Sequence, residues 1–196
     1  MTRGNNRSVV FPHQDDFKHY LELILRLKKE HPFGIYHYCL MPNHVHFLIK
    51  TKKGNEFSHF MKRLNLIYFY YFKKKYSWVG HFWQGRFKSQ PVGKDAYFIQ
   101  CGKYIELNPV RAGLVSNPED YQYSSYNYYA RGLTDKLVSQ DMFYQDLGKT
   151  SWERQGNYRK MIINDIIQST YQNKVWGSAS QRYNEVKKIN YRRKRG

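Results

Sequence analysis

Two histidines, His44 and His46, alternate in the run Cys39-Leu40-Met41-Pro42-Asn43-His44-Val45-His46-Phe47-Leu48-Ile49. Side chains along a strand repeat every second residue, so both imidazoles leave the same face, roughly 6–7 Å apart at the backbone. Residues 35–41 and 44–50 both have strand composition, and Pro42-Asn43 between them is a two-residue turn. A connection that short fixes the register: Met41 opposes His44, and Cys39 opposes His46. Tyr38, Leu40, Val45, Phe47 and Ile49 then share the opposite, apolar face. The chain is therefore expected to fold around a hairpin that is apolar on one side and carries paired imidazoles on the other.

The flanking segments predict helices. Asp15 and Asp16 can cap one whose apolar positions are Phe17, Tyr20, Leu21, Ile24 and Leu27, ending near His31-Pro32. A second follows Lys53-Gly54-Asn55, with Phe57, Phe60, Met61, Leu64, Tyr68 and Tyr71 on its apolar stripe, and ends in Lys73-Lys74-Lys75. A short strand over residues 87–92 precedes a third helix from Lys94-Asp95, which Pro109 ends or bends sharply. The order helix, strand, strand, helix, strand, helix predicts an α+β fold. It fits a ferredoxin-like antiparallel four-stranded sheet flanked by helices, with its first strand missing at the front. Either the chain is truncated upstream, or residues 8–11 supply an edge strand. Beyond Asn117 the periodicity weakens. Residues 121–129 are tyrosine-rich and turn-prone, while 152–172 and 178–188 predict helices. The last fifteen residues hold seven basic side chains and one acid, a mobile basic tail. The expected organisation is a domain over residues 1–130 and a helical, basic extension over 131–196, with the tail mobile from about residue 189.

Charge narrows the function. Thirty-three Lys and Arg against 15 Asp and Glu give +18, an excess that calls for a polyanionic partner. No apolar run approaches the roughly 18 residues of a spanning helix, and no signal peptide opens the chain. Cys39 and Cys101 form no CxxC or disulfide framework, which points to a reducing cytoplasm. Nucleic acid is the expected partner, not a membrane. Residues 57–94 contain eight Lys or Arg, twelve aromatics and no acid. Basic residues interleaved with Phe82, Trp83 and Phe87 suit a groove where bases stack, although a solvated basic face on a core helix has the same composition. Gly85-Arg86-Phe87-Lys88 and Arg3-Gly4-Asn5-Asn6-Arg7 each set two cations beside a glycine.

Two imidazoles on one face can share a cation. Zinc normally takes three or four protein ligands, and Cys39 stands across from His46 with no second cysteine to join it. Two histidines and an amide oxygen suit Mg²⁺ or Mn²⁺, completed by phosphate oxygens and water. Tyr104 and Asn108, four apart in Tyr104-Ile105-Glu106-Leu107-Asn108-Pro109, stack on one face of the third helix. Tyr104 is one of nineteen tyrosines, and Asn before Pro also fits the cap of a new helical turn over 110–113.

Together these segments resemble the single-tyrosine HUH transposases, where U is any hydrophobic residue, and among them the REP-associated tyrosine transposases. The resemblance rests on Arg3-Gly4-Asn5-Asn6-Arg7, Met41-Pro42-Asn43-His44-Val45-His46, Gly80-His81-Phe82-Trp83-Gln84-Gly85-Arg86-Phe87-Lys88, Tyr104 through Val115, and Pro118-Glu119-Asp120-Tyr121 with Ser124-Ser125-Tyr126. They run in family order across about the first 130 residues, and Trp176-Gly177-Ser178 is a weaker echo. The resemblance implies His44, His46 and Asn108 as ligands of a divalent Mg²⁺ or Mn²⁺, with Tyr104 as nucleophile. Arg3, Asn5, Arg7, Arg86, Lys88 and Arg111 are the expected DNA contacts. The implied activity is metal-dependent cleavage and rejoining of single-stranded DNA near hairpins or repeats through a 5′-phosphotyrosine. The implied setting is a homodimer in the bacterial cytoplasm, associated with the nucleoid. A non-catalytic nucleic-acid-binding protein would need neither Tyr104 nor a metal, and a zinc-stabilised binding module is a third possibility.

Overall fold

The hairpin forms in the predicted register. The computed structural model describes residues 1–31, 33–92 and 95–176. In it a short strand β1 (Thr2–Arg3) precedes β2 (Phe33–Met41) and β3 (His44–Thr51). Met41 faces His44, Leu40 faces Val45, and Cys39 faces His46. The ladder slips once, between Ile35 and His37, leaving Tyr36 as an extra residue. Ile35 therefore sits opposite Ile49 and joins the Tyr38–Leu40 face, while His37 stays on the face of Cys39 and His46.

Three strands, not four, make up the sheet among the described residues, all antiparallel in the order β1-β3-β2. Residues 87–92 form no strand. Pro91 has no N–H to give a ladder, and residues 82–88 are instead tied to the N-terminal residues at separate points. Asn5 N donates to Phe82 O (2.8 Å), Gln84 N to Arg3 O (2.9 Å), and Lys88 N to Met1 O (2.8 Å). Residues 8–11 are not an edge strand either; the Val10 and Phe11 amides both donate to Pro42 O, and both side chains enter the core.

Helices cover both faces of the sheet. On the Val45 face, α1 (Gln14–Lys28) and α2 (Gly54–Tyr76) pack through Tyr20 against Tyr68, and Asn65 of α2 donates to Thr2 Oγ1 (3.2 Å). Asp16 lies inside the first turn of α1, where it accepts the His13 N–H (2.9 Å). It also accepts from Tyr71 (2.9 Å), Lys75 (2.8 Å) and Tyr76 (2.6 Å), tying the start of α1 to the end of α2. Burial alone would raise the Asp16 carboxyl; the hydrogen bonds from Lys75 and Tyr76 outweigh it and hold it below its ordinary range. Phe72 takes the buried place expected for Tyr71, whose hydroxyl is drawn to Asp16. The opposite face of the sheet receives α3 (Asp95–Arg111).

The tyrosine-rich stretch seals the free edge of β2. Leu40 N donates to Tyr123 O (2.9 Å), Ser125 N to Tyr38 O (3.1 Å), and Ser139 N to Ile35 O (2.7 Å). The Tyr121 and Tyr129 hydroxyls donate to Leu40 O (2.5 Å) and Tyr36 O (2.8 Å). An edge strand left bare would present these groups to other chains. Beyond it, α4 (Tyr126–Arg131) and α5 (Ser151–Trp176) pack with Leu107 of α3 in a second apolar cluster that includes Tyr129, Tyr144, Tyr158 and Ile162. The predicted helix over 152–172 falls within α5. The predicted helix over 178–188, the basic tail and most of the Trp176-Gly177-Ser178 echo lie outside the described residues.

Candidate active site

His44 and His46 project from β3 with ring centroids 4.8 Å apart and planes at 77°. Asn43 orients the first of them. Its Nδ2 donates to Arg7 O (3.2 Å), so its Oδ1 is the atom 2.5 Å from His44 Nδ1. That oxygen can only accept, so Nδ1 carries the proton and Nε2 keeps a lone pair. Burial pushes His44 down to about 4, helped by the Arg3 charge. Burial, followed by the neighbouring His44, pushes His46 down to about 3. Both rings are therefore neutral at pH 7, the form in which imidazole binds a metal.

The phenol arrives on α3. Tyr104 is 51% exposed, and its ring centroid lies 5.8 Å from that of His46 at 83°. The Arg111 guanidinium sits 5.2 Å from the Tyr104 ring centroid. Residues almost sixty apart in sequence thus share one face of the sheet. Pro109 does not end α3, which continues to Arg111. A proline at that position removes the N–H owed to Ile105 O. The Asn108 side-chain amide compensates, donating to Ile105 O (3.3 Å) and Tyr104 O (2.7 Å). With its nitrogen turned to the helix carbonyls, its oxygen is left for another partner.

The back of α3 is held by a polar cluster that the sequence reading missed. Glu106, fully buried, accepts from His37 Nδ1 (2.9 Å), Ser125 Oγ (2.6 Å) and Tyr158 OH (2.6 Å). Asp141 Oδ2 lies 3.3 Å from His37 Nε2. Burial would lower the His37 imidazole, but the two carboxylates prevail and raise it to about 9, so it is charged at neutral pH. Gly102 gives the ring its room, since a Cβ there would stand 2.8 Å from His37 Nε2. One signal was legible: Gly102 and Glu106 are four apart on α3, on a different side from Tyr104 and Asn108.

Among the described residues, no three His, Cys, Asp or Glu side chains cluster as a metal site. What the face does offer is two adjacent neutral imidazoles. Cys39 does not belong to it: buried against Met41 Sδ (3.7 Å), its thiol is pushed well above the ordinary range by burial, away from the thiolate that zinc requires.

Of the expected DNA contacts, Arg3 stands across the ladder from His44 and Arg111 lies against the Tyr104 ring. Arg7, Arg86, Lys88 and Arg111 are exposed, while Arg3 and Asn5 are partly buried. Asn6 and Arg7 adopt left-handed φ of 50° and 58°, a strained turn that Gly4 N holds to Asn43 O (2.9 Å). Gly4 must be glycine, because a Cβ would lie 2.4 Å from Ser8 O. Phe82 is not free for stacking on bases, and Trp83 is partly buried. Phe82 is buried against Phe72, and the Trp83 indole donates to Asn65 O (2.9 Å).

A three-stranded α+β scaffold with an imidazole pair and an exposed tyrosine on one face defines the class of protein. Residues 1–108 match the IS200-like transposases, and the chain belongs to that family. The matched span includes His44, His46, Tyr104 and Asn108. The chain is 27% identical over 114 residues to the REP-associated tyrosine transposase of Escherichia coli (strain K12). That alignment covers 56% of this chain and 65% of the relative, so the chain spans just under two thirds of its length. A solved structure of a REP-associated tyrosine transposase bound to a REP hairpin is similar in fold, with a TM-score of 0.54 and 23% identity. The match covers 71% of this chain and 82% of that one. No helix among the described residues is long and apolar enough to cross a membrane.

Proposed function

We propose that the protein cleaves and rejoins single-stranded DNA beside a hairpin, as a metal-dependent transposase or endonuclease working through a covalent tyrosine intermediate. The observation that carries this reading is the exposed Tyr104 ring 5.8 Å from His46, in front of a histidine pair held neutral. The Tyr104 oxygen attacks the scissile phosphorus in line. The P–O3′ bond breaks, the 3′ oxygen leaves as a hydroxyl with the proton that the phenol gives up, and the 5′-phosphate stays on the tyrosine. Attack by a 3′-hydroxyl reverses the step and joins strands with no outside energy source, because the phosphodiester bond has been exchanged, not hydrolysed. The Arg111 guanidinium, 5.2 Å from the ring centroid, sets a cation beside the attacking side chain. His44, His46 and the Asn108 amide oxygen would hold Mg²⁺ or Mn²⁺, which supplies polarisation of the phosphate when bound. Asn5, Arg7, Arg86 and Lys88 contact the DNA backbone, where the excess of positive charge concentrates the substrate. The setting is the DNA of a bacterial cytoplasm, and a homodimer is its expected assembly, read by sedimentation with and without hairpin.

The test is a hairpin oligonucleotide with a single-stranded flank, labelled at its 3′ end and incubated with protein and Mg²⁺ or Mn²⁺. The label should migrate with the protein in denaturing gels, and Tyr104→Phe should lose this adduct while still shifting the hairpin in native gels. Wild-type protein that shifts the hairpin but forms no adduct under any divalent ion is a binding protein, and the strand-transfer reading fails.

A further inference from the structure

Arg3 stands directly across the sheet from His44. Opposed residues of an antiparallel pair project from the same face, so its side chain emerges beside the two imidazoles. Thr2, one residue earlier, points the other way, to Asn65 of α2. The Arg3 backbone is fixed on both sides: its carbonyl accepts from Gln84 N (2.9 Å), and the next amide, Gly4 N, donates to Asn43 O. The charge is close enough to both histidines to act on each of them.

The guanidinium is not engaged as other cations of the scaffold are. Arg63 pairs with Glu30, Lys75 with Asp16, and Lys53 with Glu56, and Arg159 donates to Ala130 O. Arg3 pairs with no carboxylate among the described residues. Its Nε is shut off from solvent and has no hydrogen-bond acceptor there. Its Nη2 meets the Met1 thioether at 3.7 Å, a weak acceptor. A planar fork of donors, held in place by β1 and lacking an anion of the protein's own, fits two oxygens of one phosphate.

We propose that Arg3 is a catalytic residue of this site, donating from its guanidinium to the non-bridging oxygens of the scissile phosphate while Tyr104 attacks. The proposal rests on the strand-transfer reading and extends it from backbone contact to the reacting phosphate. As the bond from Tyr104 forms and the P–O3′ bond breaks, charge accumulates on the non-bridging oxygens, and Arg3 neutralises it without giving up a proton.

Single-turnover adduct formation at saturating protein tests this, with Arg3→Ala and Arg3→Lys set against wild type. Each is run on a hairpin with an ordinary scissile phosphate and on one with a methylphosphonate there, which replaces a non-bridging oxygen by a neutral methyl. On phosphate, Arg3→Ala should slow the adduct by about 10²–10³-fold, the scale of losing one preorganised donor. Hairpin affinity should change far less, and Arg3→Lys should remain slow because an ammonium lacks the fork. On methylphosphonate the gap between wild type and Arg3→Ala should shrink at least tenfold, since the charge that Arg3 neutralises is gone. Equal slowing on both substrates would make Arg3 a residue of folding or general DNA binding and overturn the proposal, as would an unslowed Arg3→Ala. Wild-type protein that forms no adduct on the phosphate substrate sinks the strand-transfer reading, and the role of Arg3 goes with it.

Discussion

Replacing Glu106 with alanine removes the acceptor for three buried side chains at once. His37 Nδ1 (2.9 Å), Ser125 Oγ (2.6 Å) and Tyr158 OH (2.6 Å) all donate to its carboxylate. Each donor stranded in the interior costs about 1–3 kcal/mol, though the three share one network and relax together. Breaking one side of a buried ion pair costs about 3–5 kcal/mol, and that is the loss expected for Glu106→Ala. A domain of ordinary stability has about 5–15 kcal/mol in all, so the variant should sit near the edge of folding. The loss should also depend on pH. His37 is raised to about 9 in the folded protein, so the stability it contributes with its carboxylates is full below about pH 6.5, where the unfolded imidazole is also charged. That stability drains away as pH rises through about 9. A shift from 6.5 to about 9 corresponds to about 3 kcal/mol, the most by which the gap between wild type and variant can narrow at alkaline pH. Urea unfolding at pH 7 and pH 10, followed by tryptophan fluorescence, measures both. Glu106→Gln, which keeps the shape and one acceptor, should lose less and respond less to pH. Equal midpoints for wild type and Glu106→Ala, or a gap that does not narrow at pH 10, would refute the ion-pair argument.

Asn43→Ala should lower the affinity for Mn²⁺ by about 10–100-fold by calorimetry, since it frees His44 Nδ1 from its orienting partner (2.5 Å); hairpin binding without metal should hold. Gly102→Ala should destabilise the fold by about 1–3 kcal/mol, because its Cβ would meet His37 at 2.8 Å and push α3 off the sheet. Unchanged thermal unfolding would contradict the close packing of helix and ring. Arg86→Ala with Lys88→Ala should weaken binding of single-stranded DNA and reduce the slope of log affinity against log salt by about 1.4, two phosphate contacts at about 0.7 each. An unchanged slope would place the DNA elsewhere.

The two-residue turn made the central hairpin legible, because Pro42-Asn43 leaves one register and one face for His44 and His46. Helical spacing did the same for Tyr104 and Asn108. What stayed hidden depends on contacts between distant segments. Tyr36 is left out of the ladder, and alternation alone cannot locate that slip. The expected strand over 87–92 has no N–H at Pro91, and its tie to the N-terminal residues is made at Lys88, with Met1. Pro109 signals an end or a sharp bend, and of these the end does not occur: the compensating donor is a side chain, Asn108, which sequence patterns also read as a cap. Residues 121–125 do turn, as expected, before α4; what stayed hidden is that Tyr121 and Tyr129 bury their rings and spend their hydroxyls on the carbonyls of β2. The partnership of His37, Glu106 and Asp141 spans over a hundred residues, and no local pattern could assemble it.

Peptide mapping of the trapped covalent complex tests most directly whether the imidazoles and the phenol serve one phosphate. After nuclease trimming and proteolysis, the account predicts a 5′-phosphonucleotide on Tyr104 alone, formed with a divalent ion and missing when His44 and His46 are both alanine. A nucleotide on any of the other eighteen tyrosines (19 in the chain, less Tyr104), or one still present in the histidine variant, would contradict it.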